Sequence, residues 1–169
     1  MKLIKYEKIG TEVLKDLDLY KVGWRFRYRN LKSLAGYCDY RHKTITLSKH
    51  LVLNNSDEKI MNTLIHEIAH ALTPKGRSHG RAWSRNFKDL LKIYEQPINT
   101  SRCYDSSYDM PEKQYKVECN TCGEVYGKHR MGRKIKRQYS QGLRYHRACR
   151  GNDFTIYKND TLIIKTEKK

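Results

Sequence analysis

Residues 57–72 read DEKIMNTLIHEIAHAL, and this stretch decides the fold of the chain. Its apolar residues recur every three or four positions, which predicts an amphipathic helix with one broad buried face. Asn55 or Ser56 can cap the amino end, where an acidic first turn also meets the positive end of the helix dipole. Pro74 and Gly76 follow the last apolar residue and predict the end of the helix.

This helix contains two histidines four residues apart, with a glutamate directly after the first. His66 and His70 therefore lie on one helix face, where their neutral imidazoles can bind one Zn²⁺. Glu67 lies beside that metal without ligating it. Glu67 can therefore take a proton from a water whose pKa the metal lowers, which predicts a hydrolytic site.

A catalytic zinc site usually has three protein ligands and a water, so a third ligand is expected. His79 is the best candidate, because it follows a short turn after the helix and Gly80 gives the backbone freedom there. Its spacing does not match the metzincin pattern. His42 and His50 are weaker candidates, since neither has other ligand types close by in the sequence.

The segments around the helix predict an α+β domain with an N-terminal helix, a small antiparallel sheet and two core helices. Residues 11–20 have the spacing of a short amphipathic helix. Aromatic and arginine residues alternate over 24–29, which predicts a strand, and two further extended pieces lie around 35–40 and 44–48. A second core helix is predicted over 81–94.

The chain divides into two predicted domains. Residues 1–97 form the first, and the polar residues of 98–112 are typical of a linker. Residues 113–169 form a basic module that ends in two strand-like runs, 154–157 and 162–164, and these predict a C-terminal hairpin.

A tight cysteine pair opens the basic module. Cys119 and Cys122 are separated by two residues, as in a zinc knuckle, and His146 and Cys149 repeat that spacing. Together they predict a structural Cys₃His zinc site in a zinc-ribbon β-hairpin, although His129 is a rival for the histidine position. A redox dithiol or free buried thiols are the alternatives.

The chain has 35 Lys and Arg residues against 18 Asp and Glu residues, a formal net charge of +17. Such a charge favours polyanionic partners, nucleic acid before anionic membranes or acidic protein tails. Tyr126, Tyr139 and Tyr145 are interleaved with cations in the ribbon and can stack on exposed bases. A solvated basic surface is the alternative. The cations predicted to contact nucleic acid are Lys128, Arg130, Arg133, Lys134, Lys136, Arg137 and Arg144.

No apolar run is long enough for a transmembrane helix, and the basic N-terminus lacks the apolar region of a signal peptide. We therefore expect a cytoplasmic protein with no membrane partner.

The ordered set of motifs resembles the SprT-like metallopeptidases, the family that includes the Spartan proteases of DNA–protein crosslinks. The resemblance extends over about residues 10–150. It is carried by TITLS at 44–48, LIHEIAHAL at 64–72, SHGRAW at 78–83 and the C-terminal ribbon. In one respect the chain departs from the family, whose ribbon usually has a second Cys-x-x-Cys where this chain has His146.

The resemblance implies a zincin-like minimal metallopeptidase fold with a catalytic Zn²⁺ held by His66, His70 and His79, and with Glu67 as the general base. A second, structural Zn²⁺ would lie in the ribbon. The implied activity is cleavage of proteins bound to DNA, with DNA binding supplying much of the selectivity. The alternatives are a non-catalytic zinc-containing nucleic-acid-binding or regulatory protein and, more weakly, another zinc hydrolase such as an amidase. A short chain of this kind resembles bacterial or phage members more than the animal proteins, which would place it in the cytoplasm at the nucleoid or, if phage-encoded, in the host cytoplasm.

Overall fold

The computed structural model describes residues 1–76, 79–97 and 108–166. The chain forms two compact units, Met1–Pro111 and Glu112–Lys169. Within the described ranges there are five helices and two sheets, so the predicted α+β class is confirmed. None of these helices is both long and apolar enough to cross a bilayer.

The first unit contains four helices and one three-stranded sheet. Its elements in chain order are α1 (Lys2–Asp16), β1 (Arg25–Arg29), β2 (Gly36–Asp39), β3 (Thr44–Ser48), α2 (Lys49–Asn54), α3 (Asp57–Ala71) and α4 (Arg81–Ile93).

The two core helices, α3 and α4, have the predicted positions. The Ser56 hydroxyl caps α3 by accepting a hydrogen bond from the Lys59 backbone N–H at 3.4 Å. The apolar face of α3 is fully buried at Ile60, Leu64 and Ile68. This face packs in one core with α1, the sheet and the buried stripe of α4.

The N-terminal helix is longer than predicted. It begins at Lys2 and not near residue 11, because Tyr6 and Gly10 already belong to the buried face that continues to Val13 and Leu14. The short helix α2 was not predicted. The Ser48 hydroxyl caps it by accepting a hydrogen bond from the backbone N–H of His50.

The predicted antiparallel sheet is mixed. Its strand order is β1-β3-β2, with β2 antiparallel and β1 parallel to the central strand β3. The chain reverses direction twice between β1 and β3, so these two strands run the same way. All five residues of β3 are buried, as is typical of a central strand covered on both faces. Alternation within a strand indicates which face is buried but does not identify its partner.

The second unit contains one helix and a four-stranded antiparallel sheet in the order β5-β4-β6-β7. Its elements are β4 (Tyr115–Cys119), β5 (Val125–Lys128), α5 (Arg133–Ser140), β6 (Phe154–Lys158) and β7 (Thr161–Lys165). The predicted C-terminal hairpin is present as β6 and β7. Asn159 and Asp160 turn between these strands with φ values of 47° and 64°.

The basic segment between the two halves of the Cys/His set is not a continuous hairpin. Residues 133–140 form the helix α5, because Ile135 and Tyr139, four residues apart, both face the core of the second unit. The many cations around these two residues hide that helical spacing in the sequence.

Residues 98–107 of the predicted linker over 98–112 lie outside the described residues. Its described end packs against the first unit, where Tyr108 and Met110 contact the core. The Asn55 side chain donates a hydrogen bond to the Asp109 carbonyl at 3.0 Å and accepts one from the Asp109 N–H at 2.9 Å.

Truncation of the α3 core face should destabilise the first unit. We expect Ile65→Ala to lower the free energy of unfolding by about 2–5 kcal/mol, because Ile65 is fully buried and the cavity cannot fill. Leu53→Ala is the control, since Leu53 is 56% exposed, and should change that free energy by less than about 0.5 kcal/mol. Urea unfolding followed by tryptophan fluorescence isolates this unit, because Trp24 and Trp83 are the only two tryptophans of the chain. Equal losses in both variants would contradict this packing.

Candidate metal centre

Three imidazoles of the first unit converge on one point. His66 and His70 lie one turn apart on α3, and His79 lies two residues before α4. The Nε2 atoms are 3.3 Å apart for His66 and His70, 3.1 Å for His70 and His79, and 3.0 Å for His66 and His79. His79 adopts a left-handed backbone conformation with φ 51°, and the next residue, Gly80, is the N-cap of α4. The structure therefore brings together the three histidines that were predicted from sequence.

These nitrogens fit a metal ion. Ligands that bind a tetrahedral ion at about 2.0–2.1 Å lie about 3.3–3.4 Å from one another, close to the observed separations. Burial, followed by the charges of His70 and His79, lowers the pKa of His66 to about 3. Burial and the charge of His79 lower the pKa of His70 to about 4. Neutral rings present lone pairs to the common point, so the cluster could hold a metal ion.

The side chain of Trp83 packs against all three imidazoles. Its ring centroid lies 4.7 Å from that of His66, 5.5 Å from that of His70 and 4.6 Å from that of His79. Phe87, one turn later on α4, stacks on Trp83 at 4.9 Å with an interplanar angle of 12°. The sequence predicted Trp83 only as part of a buried stripe. Its position four residues after His79 in SHGRAW could have indicated that its ring lies beside the histidines.

Glu67 is buried between α3 and the edge strand β2. The Cys38 backbone N–H donates a hydrogen bond to its carboxyl group, while burial raises the pKa of Glu67 to about 8. A Cβ at position 36 would lie 3.2 Å from the Glu67 Cγ and 2.8 Å from the Thr46 carbonyl oxygen. Gly36 therefore allows the glutamate to pack closely against the strand.

The two weaker histidine candidates lie outside the cluster. His42 is exposed, and its Nδ1 lies 2.8 Å from Asp39 Oδ2. His50 lies in α2 and is half-buried.

A second group of possible ligands lies in the second unit. The ligand atoms of Cys119, Cys122, His146 and Cys149 are all within 4.8 Å of one another. Cys149 Sγ is 3.6 Å from Cys119 Sγ and 3.2 Å from His146 Nδ1, and Cys122 Sγ is 3.4 Å from the same nitrogen. The other ring nitrogen, Nε2, lies 3.2 Å from Glu124 Oε2. This group could also hold a metal ion, and it contains His146 and not the rival His129.

The predicted nucleic-acid cations differ in their surroundings. Arg130, Arg133, Lys134 and Arg137 are exposed, whereas Lys128, Lys136 and Arg144 are half-buried. The half-buried cations lie over tyrosine rings, with Lys136 Nζ 5.4 Å from the Tyr115 centroid and Arg144 Cζ 5.8 Å from the Tyr139 centroid.

The three tyrosines predicted to stack on bases are not equivalent. Tyr139 is only 3% exposed and belongs to the core, so the prediction that it stacks on a base is wrong. Its hydroxyl lies 2.8 Å from that of the half-buried Tyr126. Tyr145 is 65% exposed and can reach a ligand.

Comparison with known proteins shows the family. A sequence profile of the SprT-like family matches residues 5–103. A "Protein SprT-like" from Oceanobacillus iheyensis is 32% identical over 114 residues, which cover 65% of this chain and 67% of that protein. The chain therefore belongs to the SprT-like family.

A solved structure was also found, the crystal structure of the metallopeptidase zymogen of Pyrococcus abyssi abylysin. It is 24% identical, with a TM-score of 0.37, and the match covers 54% of this chain and 98% of that one. A TM-score of this size is too low to establish a shared fold.

Removal of one imidazole should weaken metal binding at the first cluster. We expect His79→Ala to lose about one metal equivalent per chain after dialysis, because two imidazoles hold an ion much less tightly than three. His42→Ala is the control, since His42 is exposed and lies outside both clusters. Metal content can be measured by elemental mass spectrometry. An unchanged content in His79→Ala would contradict a metal centre at this position.

Proposed function

We propose that this chain is a zinc-dependent endopeptidase of the SprT-like type that acts on proteins bound to DNA. The observation that carries the proposal is the convergence of three imidazole nitrogens within 3.0–3.3 Å of one another, with Glu67 directly after the first histidine. Three imidazoles are a common ligand set of catalytic zinc, and family membership supports the same class of reaction. In this proposal the first unit is a minimal zincin-like domain.

In the proposed reaction, His66, His70 and His79 would hold the Zn²⁺, and Glu67 transfers protons. A bound Zn²⁺ would supply Lewis acidity to the scissile carbonyl and to water. Glu67 accepts a proton from the attacking water and then donates it to the leaving amine. A Zn²⁺ held by the three histidines would oppose the effect of burial on the pKa of Glu67, and it would thereby favour the carboxylate, the form that accepts a proton.

The Cys/His cluster of the second unit is proposed to hold a structural Zn²⁺ in a zinc ribbon. Three thiolates and one imidazole complete a closed tetrahedral set, which has no position for a substrate. The contact of His146 with Glu124 supports this role, because a carboxylate commonly orients a ligating imidazole through its second nitrogen.

The basic surface of the second unit is proposed to contact DNA. Arg133, Lys134 and Arg137 lie exposed on α5, and Tyr145 offers an exposed ring in a later loop. Cations can neutralise phosphates and an exposed ring can stack on a base, so this surface suits the binding of nucleic acid without reading its sequence.

Replacement of the proposed base should slow cleavage strongly without loss of the fold. We expect Glu67→Gln to lower the rate of cleavage of a DNA-bound basic protein by about 10²–10⁴-fold, because the amide cannot accept the proton. Glu58→Gln is the matched control, an exposed glutamate on the same helix. Cleavage can be followed by gel electrophoresis with and without DNA. Equal activity in wild type and Glu67→Gln would exclude this mechanism and favour a non-catalytic binding protein.

Charge reversal on α5 should weaken DNA binding. At 0.15 M salt each lost phosphate contact costs about four- to fivefold, so we expect Arg133→Glu/Lys134→Glu to raise the Kd by about 16- to 25-fold. The control is Lys113→Glu/Lys165→Glu, which changes the net charge equally at two other exposed positions of the second unit. Fluorescence anisotropy of a labelled oligonucleotide measures both. An equal effect of the two variants would contradict a contact localised on α5.

A further inference from the structure

The exposed face of α4 forms a row of four cations. Arg81, Arg85, Lys88 and Lys92 are all exposed, and we call them the α4 strip. Successive helix residues turn by about 100°, so these four side chains leave the helix within an arc of about 60°. The rise of about 1.5 Å per residue spreads them over about 16 Å of the axis. The buried residues of α4 occupy the opposite face.

The strip begins next to the candidate metal centre. Its four residues line an open surface groove of about 690 Å³ together with His79 and Ser84. Arg81 follows the proposed ligand His79 by two residues. A molecule bound along the groove would therefore lie beside the imidazole cluster.

The cations of the strip are not neutralised by any carboxylate that the structure describes, in contrast to some lysines of α1. On α1, Lys15 pairs with Glu12 at 2.9 Å and Lys5 pairs with Asp57. No cation of the strip forms an ion pair with any residue in the described ranges. One acidic residue, Asp89, lines the same groove, so the groove keeps a clear excess of positive charge.

We propose that the α4 strip binds the phosphate backbone of nucleic acid and holds it beside the metal centre. The choice of partner rests on the function proposed above. A polynucleotide carries a permanent charge at every phosphate, which suits a regular row of cations without any requirement for sequence.

An acidic peptide is the competing occupant of the groove. To follow the row of cations, an extended peptide would need an acidic residue at every second position, with its carboxylates about 6.6–6.8 Å apart. Proteins bound to DNA are typically basic, and the strip would repel them. Nucleic acid is therefore the occupant that the charges favour.

The strip would confine cleavage to peptide bonds close to the bound nucleic acid. Phosphates held along α4 lie next to the end of the groove where His79 is found. A protein attached to that nucleic acid is then presented to the metal centre at a high local concentration. A free protein lacks this tether.

The test is the salt dependence of DNA binding by the full chain. We expect Arg85→Glu/Lys88→Glu to reduce the slope of log K against log salt by about 1.4–1.8, since two phosphate contacts are lost. Lys8→Glu/Lys49→Glu is the control, because it makes the same change in net charge at exposed positions of α1 and α2, and should keep the wild-type slope. Anisotropy of single-stranded and duplex oligonucleotides gives the slopes. Should the charge-reversed chain fail to fold by circular dichroism, Arg85→Gln/Lys88→Gln should show the same loss of slope.

An equal slope in the strip variant and the control would overturn the proposal. If the strip variant also lost metal-dependent cleavage of an acidic peptide, the groove would be identified as a peptide subsite instead. Both binding series can be repeated in the Glu67→Gln background. A failure of the peptidase proposal in the cleavage assay is thereby separated from a failure of the strip to bind DNA.

Discussion

The candidate metal centre requires three imidazole nitrogens to meet within 3.0–3.3 Å of one another. Protonated rings at that distance would repel one another, and burial also disfavours their charge. The packing of α3 against α4 meets this requirement, with Trp83 and Phe87 filling the space next to the rings. His79 is held in a left-handed backbone conformation, so the surrounding packing must offset a local cost of about 1–3 kcal/mol. Such costs concentrate at functional sites, where the geometry of the ligand matters more than local stability.

The sheet contributes to the site through its edge strand. The Cys38 backbone N–H and the missing side chain of Gly36 together determine how Glu67 packs. Just beyond β2, the Tyr40 hydroxyl donates a hydrogen bond to the carbonyl of His70 at 2.7 Å, near the end of α3. One strand therefore supports both the proposed base and the helix that carries two of the proposed ligands. Because a polar group buried without partners is costly, these backbone and hydroxyl contacts help to make a buried glutamate tolerable.

The second unit is small, and its ligand cluster lies against its core. Cys119 is a core residue at the end of β4, and Cys149 packs against the same core. Metal binding and folding would then be coupled, since the same residues serve both.

The cations of this unit have two roles. Some cover aromatic rings, as Lys136 covers Tyr115, and the fully exposed ones remain available to a polyanion.

Local spacing was enough to predict part of this protein. Helical periodicity predicted α3 and placed His66 and His70 on one face, and the repeated two-residue spacing of the Cys/His set predicted the second cluster. These inferences succeed within each turn or knuckle, because residues there are neighbours whatever the rest of the chain does. The meeting of the two halves of the Cys/His set is a tertiary contact, since Cys119 and Cys149 are 30 residues apart. Other features depend on contacts between distant segments. Tertiary packing decided the parallel pairing of β1 with β3 and the formation of the helix α5. It also decided the burial of Tyr139 and the contact of Trp83 with the three histidines. A pattern of apolar residues indicates that a face is buried, but only the folded chain determines which partner buries it.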